Sequence, residues 1–164
     1  MKIAGTLAHS LVNGDGWRFV IFTQGCPHHC PGCQNPDTHD PAGGKEVPLD
    51  YMRGLILDQS KKLTDGVTFS GGDPFMQPAE CAELAEYTHS LGLDVWAYTG
   101  WTYEELLKDP AKKLFLEKVD VLVDGPFLID KKSETCKFRG STNQRIINVP
   151  KSLLSGQVIL WEDQ

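Results

Sequence analysis

GVTFSGGDPFMQP, residues 66–78, is the stretch whose reading decides the fold. Gly66 to Phe69 is rich in β-branched and aromatic residues and reads as a short buried strand. It runs straight into Ser70-Gly71-Gly72-Asp73-Pro74. Pro78 then suits the first turn of a helix that continues to about Ser90 and stops at Gly92. Strand, polar turn and helix in that order make one βα unit.

The pattern recurs on both sides. WRFVIFT (17–23) reads as a buried strand, followed by a Pro- and Gly-rich stretch from Cys26 to Pro48 and a helix from Leu49 to Lys62. LDVWAY (93–98) is a strand ending at Thr99-Gly100, and Thr102 with Glu105 forms a TxxE capping box for a further helix. Val119 to Val123 is a strand ending at Asp124-Gly125-Pro126, and Ile146–Val149 and Val158–Trp161 close the chain as β. The alternation predicts an α/β domain with a mostly parallel sheet. Four or five βα units cannot close an eight-stranded barrel, so an open partial (βα) barrel or an open sheet is expected. The cysteine cluster, SGGD, YTG and DGPF each follow a strand's carboxyl end. Parallel α/β folds build ligand sites at that edge, so the four should converge.

With 164 residues the chain reads as a single domain spanning 1–164, and 40% hydrophobic with 23% charged residues is ordinary for a globular fold. The formal charge of −6 argues against global nucleic-acid binding. No apolar run is long enough to span a membrane. MKIAGTLAHS lacks the continuous apolar segment of a secretory signal, so a cytoplasmic location is expected. One segment departs from the acidic balance. Lys131, Lys132, Lys137, Arg139, Arg145 and Lys151 stand against one acid, Glu134. It reads either as a solvated loop or as a docking surface.

Five cysteines without a signal argue against a disulfide framework. Cys81 reads as a small buried hydrophobe in a helix, and Cys136 stands alone. Cys26, Cys30 and Cys33 form a CxxxCxxC loop, GCPHHCPGC. Three thiolates on one tight loop suit three irons of a cubane iron–sulfur cluster, leaving one iron open for a substrate or cofactor. Two competitors remain at this point. One is a Cys3His zinc site with His28, His29 or His39 as the fourth ligand. The other is a Cys30–Cys33 dithiol, which leaves Cys26 unexplained. In SGGD, the glycines let a ligand lie against the main chain, and the carboxylate suits an ammonium group.

Taken together, NGDGWR at 13–18, GCPHHCPGCQN, SGGDP, WAYTG with Trp101, LVDGPF and FRGSTNQRI at 138–146 resemble the radical S-adenosylmethionine superfamily. More closely they resemble its small glycyl-radical activases of anaerobic ribonucleotide reductase. The resemblance implies an open partial barrel of the radical S-adenosylmethionine type and an oxidoreductase. Cys26, Cys30 and Cys33 would hold a 4Fe–4S cluster whose open iron is chelated by S-adenosylmethionine. Gly71, Gly72 and Asp73 would contact the methionine amino group, with Gly32, Cys33 and Ser70 in the same cofactor-binding set. Thr99 and Asp124 would lie beside the cofactor and help hold a monovalent cation. Gly32 stands where many superfamily members carry an aromatic residue near the adenine, so another group must pack there. Reductive cleavage of the cofactor would end in hydrogen abstraction from a glycine of the reductase large subunit. No general acid or base is needed beyond the cluster and cofactor. His9 and His89 are then packing or surface residues, and His28 and His29 shape the loop.

The implied partners are that large subunit and a flavodoxin- or ferredoxin-like electron donor, with neither membrane nor nucleic acid. Another radical S-adenosylmethionine enzyme, a pyruvate formate-lyase activase or a small-molecule modifier, shares the cluster and the double glycine. A zinc-binding interaction module is the non-enzymatic alternative.

Overall fold

A computed structural model describes residues 1–162. The chain runs β1 (Lys2–Ser10), β2 (Arg18–Thr23), β3 (Lys45–Glu46), α1 (Leu49–Ser60), β4 (Gly66–Gly71), α2 (Pro78–Ser90), β5 (Asp94–Tyr98), α3 (Tyr103–Lys108), α4 (Pro110–Leu116), β6 (Val121–Asp124), β7 (Arg145–Asn148) and α5 (Val149–Ser155). The strands form one open sheet in the order β3-β1-β2-β4-β5-β6-β7. Its centre, β2-β4-β5-β6, is parallel as the βα reading requires. Both ends are antiparallel.

Connection length explains the ends. A parallel neighbour needs a crossover, usually a helix. Residues 11–17 are too few for one, so β2 returns antiparallel to β1. Between β6 and β7 the chain makes only a single 3-10 turn, Ile129–Lys131, and β7 likewise returns antiparallel. Strand β1 escapes the sequence reading because most of its residues are partly or fully exposed, which leaves little apolar alternation to recognise. The helix after Thr102 is two helices. Asp109 is extended and caps Ala111 and Lys112, and Pro110 begins a new helix there. Val158–Trp161 forms no full strand. It contributes one bridge, Ile147 to Leu160, with main-chain bonds on either side.

Alternation along the strands divides the core. Val95 and Ala97 of β5 face a large cluster to which all five helices contribute, including Met52, Leu84, Leu106, Phe115 and Val149. Trp96 faces the other side with Val121 and Val123, and Tyr98, Phe138 and Trp161 pack against them. The Trp96 and Trp161 rings meet edge-on at 5.1 Å. Fully buried Arg18 lies over the Trp96 ring and donates to Thr68 Oγ1 at 2.7 Å, Asp15 O at 2.8 Å and Asp94 Oδ1 at 2.6 Å. A buried guanidinium persists only when its protons are matched in this way. Thr68 in turn donates to Asn13 O at 2.6 Å, so the residue 13–17 turn is fastened to β4.

Candidate active site

The site begins where β2 and β4 end side by side. Gly71 has φ +102°, and a Cβ there would stand 2.4 Å from Thr23 N. Only glycine allows the two strand ends to come this close. Gly72 N donates to Thr23 O at 2.8 Å, and Asp73 N donates to Gly25 O at 2.8 Å. The SGGD turn is thus laced to the chain as it enters the cysteine loop. Phe75 anchors the turn from below, its ring 4.5 Å from Phe115, which meets Phe69 edge-on at 5.3 Å.

Asp73 is only 1% exposed and joins three segments. Its Oδ1 accepts from Phe75 N at 3.0 Å. Its Oδ2 accepts from Thr99 Oγ1 and Gly100 N, both at 2.9 Å, and contacts His28 Nε2 at 2.8 Å. His28 packs its ring edge-on against Trp101 at 4.4 Å. Through Asp73 the cysteine loop, the β4 turn and the end of β5 become one unit.

Cys26, Cys30 and Cys33 are free and partly exposed. They line a pocket of about 110 Å³ whose facing wall includes Ser70, Gly71, Gly72 and Thr99. Burial raises the Cys26 thiol above its ordinary range, a cost that bonding to a cation removes. Among the described residues no three His, Cys, Asp or Glu side chains gather around a point where one ion could sit. A Cys3His zinc arrangement is therefore not formed. His28 is turned to Asp73, His29 is exposed, and His39 faces Cys33. Thiolates that each take a different iron need only line a common cavity. The three cysteines do so, and the donor set fits a 4Fe–4S cluster.

The other expected residues are placed more variously. Gly32 has φ +75°, a left-handed conformation that disfavours any side chain, and it faces the tip of the Ile129 side chain. Asp73 stands behind the pocket wall and not in it. Asp124 is also 1% exposed and outside the pocket. It accepts from Tyr103 N at 2.8 Å and from Arg145 at 3.0 and 2.5 Å. Arg145 also reaches Glu104 at 3.1 and 2.7 Å. Hydrogen bonds to Asp124 and then to Glu104 hold Arg145 protonated beyond its usual range, and Arg145 in turn lowers the Glu104 carboxyl. The Asp124 carboxylate is thus matched by that arginine.

Tyr98, Phe127, Gln144 and His39 also line the pocket. Composition and spacing give no signal for them. The first three fall within motifs that carry the family resemblance, and His39 entered only as a zinc ligand. Gln144 shows why its segment matters. Its Nε2 donates to Gly125 O at 3.0 Å and its Oε1 accepts from Gly140 N at 2.9 Å, folding RGSTNQ back onto DGPF. A second cavity of about 690 Å³ is lined by Leu11, Val12, the 132–140 loop, Gln34 and Tyr98. Tyr98 belongs to both cavities. Its hydroxyl is buried without a partner, and burial raises the phenol well above its usual range.

The family described as "4Fe-4S single cluster domain" matches residues 12–147. The anaerobic ribonucleoside-triphosphate reductase-activating protein of Pasteurella multocida (strain Pm70) is 36% identical over 145 residues, covering 83% of this chain and 90% of the relative. The protein of the same description in Escherichia coli (strain K12) is 33% identical over 141 residues, 82% of this chain and 90% of its own. That of Enterobacteria phage T4 is 34% identical over 142 residues, 82% and 86%. Among solved structures, QueE from Escherichia coli superposes with a TM-score of 0.51 at 19% identity. The match covers 62% of this chain and about half, 52%, of QueE, a likeness of fold. On the span of the family match and the identity and coverage of these relatives, the chain belongs to the 4Fe–4S single cluster domain family and to the anaerobic ribonucleoside-triphosphate reductase-activating proteins.

Proposed function

We propose that residues 1–164 act as one activase domain that installs a glycyl radical on the large subunit of an anaerobic ribonucleotide reductase. The observation that carries this reading is the shared pocket, in which three free cysteines face the Ser70-Gly71-Gly72 turn. Cys26, Cys30 and Cys33 hold the 4Fe–4S cluster. Ser70, Gly71, Gly72 and Thr99 form the wall against which S-adenosylmethionine lies. When bound, cluster and cofactor together supply one-electron reductive cleavage that ends in removal of a hydrogen atom from a partner glycine.

The chain's own work is to orient and enclose. The Gly71 and Gly72 main chain meets the cofactor's amino group. Asp73 holds the wall in place from behind, since its oxygens already accept from Phe75, Thr99 and Gly100. Phe127 and Tyr98 line the pocket and keep water from it. Arg145 supplies the positive charge at Asp124, so this reading needs no monovalent cation there.

The larger cavity, with apolar Leu11 and Val12 on one side and Lys132, Lys137 and Arg139 on the other, adjoins the pocket through Tyr98. The reductase meets the activase on this side. An acidic flavodoxin- or ferredoxin-like donor matches the charge of the same loop, whose cations steer encounter more than they add affinity. No helix among the described residues is long and apolar enough to cross a membrane, and five unpaired thiols suit a reducing cytoplasm.

The test is anaerobic reconstitution with iron and sulfide, followed by reduction with S-adenosylmethionine, with and without the reductase. Methionine release and a glycyl radical signal on the large subunit are expected. A reconstituted, reduced protein that leaves S-adenosylmethionine intact in both arms refutes the reading.

A further inference from the structure

The turn after the cysteine loop holds a side chain with no role assigned so far. Pro36–Thr38 form a single 3-10 turn whose carbonyls close on the start of the loop. Thr38 O accepts from Gly25 N at 2.7 Å, and His39 O accepts from Cys26 N at 3.1 Å. The His39 main chain is thus tied to the first cysteine. Its ring reaches the third, with Nε2 3.3 Å from Cys33 Sγ. Asn35 N donates to the same sulfur at 3.4 Å, and the Thr38 hydroxyl, donating to Asn35 O at 2.6 Å, keeps the turn closed. The His29 ring stands perpendicular to His39 at 5.5 Å. His39 does not join a set of donors around a single point, so its ring addresses the sulfur and not a shared ion.

We propose that His39 is a positioning residue for the cluster that donates an Nε2–H···S hydrogen bond to Cys33 and makes the cluster easier to reduce. A ligating cysteine is a thiolate with no proton, so the shared hydrogen must belong to the imidazole. Reduction adds negative charge that spreads onto the cysteine sulfurs. A donor at one of them therefore stabilises the reduced state more than the oxidised one. This inference rests on reading the three cysteines as the cluster's holders.

The cluster-loaded protein and its His39→Leu and His39→Gln variants are titrated anaerobically after iron analysis. Leucine removes the donor, whereas glutamine keeps an N–H within reach. At a fixed potential near the parent's midpoint, the reduced-to-oxidised ratio is expected to fall about tenfold in His39→Leu, equal to about 59 mV for one electron. His39→Gln is expected to recover most of that loss. A leucine variant that titrates with the parent, or a glutamine variant displaced as far as leucine, overturns the inference. The parent provides a second readout. Pulsed EPR of the reduced protein labelled with ¹⁵N-histidine is expected to show a weak nitrogen coupling that His39→Gln abolishes. The strong coupling of a metal-bound imidazole, or a coupling that survives the substitution, overturns it too. A protein that takes up no cluster brings down the reading of the cysteines together with this inference. A loaded protein with an unmoved midpoint brings down this inference alone.

Discussion

Asp73 and Asp124 invite comparison. Each follows or ends a parallel strand, and each is 1% exposed. Yet Asp73 is gripped by a hydroxyl, main-chain N–H groups and an imidazole from the cysteine loop, whereas Asp124 is matched by a guanidinium. The contrast teaches that the strand end fixes only the location of a carboxylate. Its partner decides whether it organises a pocket or fastens the sheet. Asp124 with Arg145 fastens β6 to its antiparallel neighbour β7, and Asp73 fastens the cysteine loop to the ends of β4 and β5.

The largest expected effect tests the fastening. Asp124→Ala removes both Arg145 bonds, leaves the buried Tyr103 N–H without its acceptor, and should cost roughly 3 kcal/mol or more. Urea unfolding should show a lower midpoint at unchanged slope, and a loss under 1 kcal/mol would contradict the assignment. Asp73→Asn should cost less, about 1–3 kcal/mol, because an amide still accepts from some of its donors. Its main symptom should lie elsewhere, in fewer irons bound per chain after reconstitution. Equal iron content in Asp73→Asn and the parent would erase the distinction between the two carboxylates. Thr99→Val removes one donor to Asp73 and should cost about 1 kcal/mol. That loss should be additive with Asp124→Ala in a double-mutant cycle if the two networks are independent.

The smallest effect is a pH dependence. Arg145 lowers the folded Glu104 carboxyl, so the stability it contributes is present above the unfolded value of about 4.3. It is lost as pH falls through the lower folded value. Glu104→Gln should therefore cost under about 1 kcal/mol at neutral pH and flatten the acid limb below about pH 4. An acid limb identical to the parent's would remove Glu104 from the network.

Local chemistry was what the sequence disclosed. The Thr102–Glu105 capping box forms in both directions, Pro78 opens α2, and Cys81 is buried in the core, each set by neighbours within one or two turns. The shared pocket was foreseeable because parallel strands deliver their ends to one edge. Pairings across long separations were not. Nothing in GCPHHCPGC says that His28 will turn to a carboxylate 45 residues later, since that contact depends on how β2 and β4 lie side by side. Arg145 counted as one cation in a basic run, but antiparallel β7 brings it opposite Asp124. The close approach of Gly72 to the chain entering the cysteine loop, where a Cβ would stand 2.4 Å from Gly25 O, was likewise not readable from SGGD alone.

The aromatic contact between Trp96 and Trp161, with Phe138 edge-on to both, has an optical consequence. Phe138 belongs to the loop that lines the larger cavity, so a visitor seated there presses on a pair of coupled indoles. The molecule thus carries its own chromophoric gauge, and near-ultraviolet circular dichroism can follow complex formation without any added label.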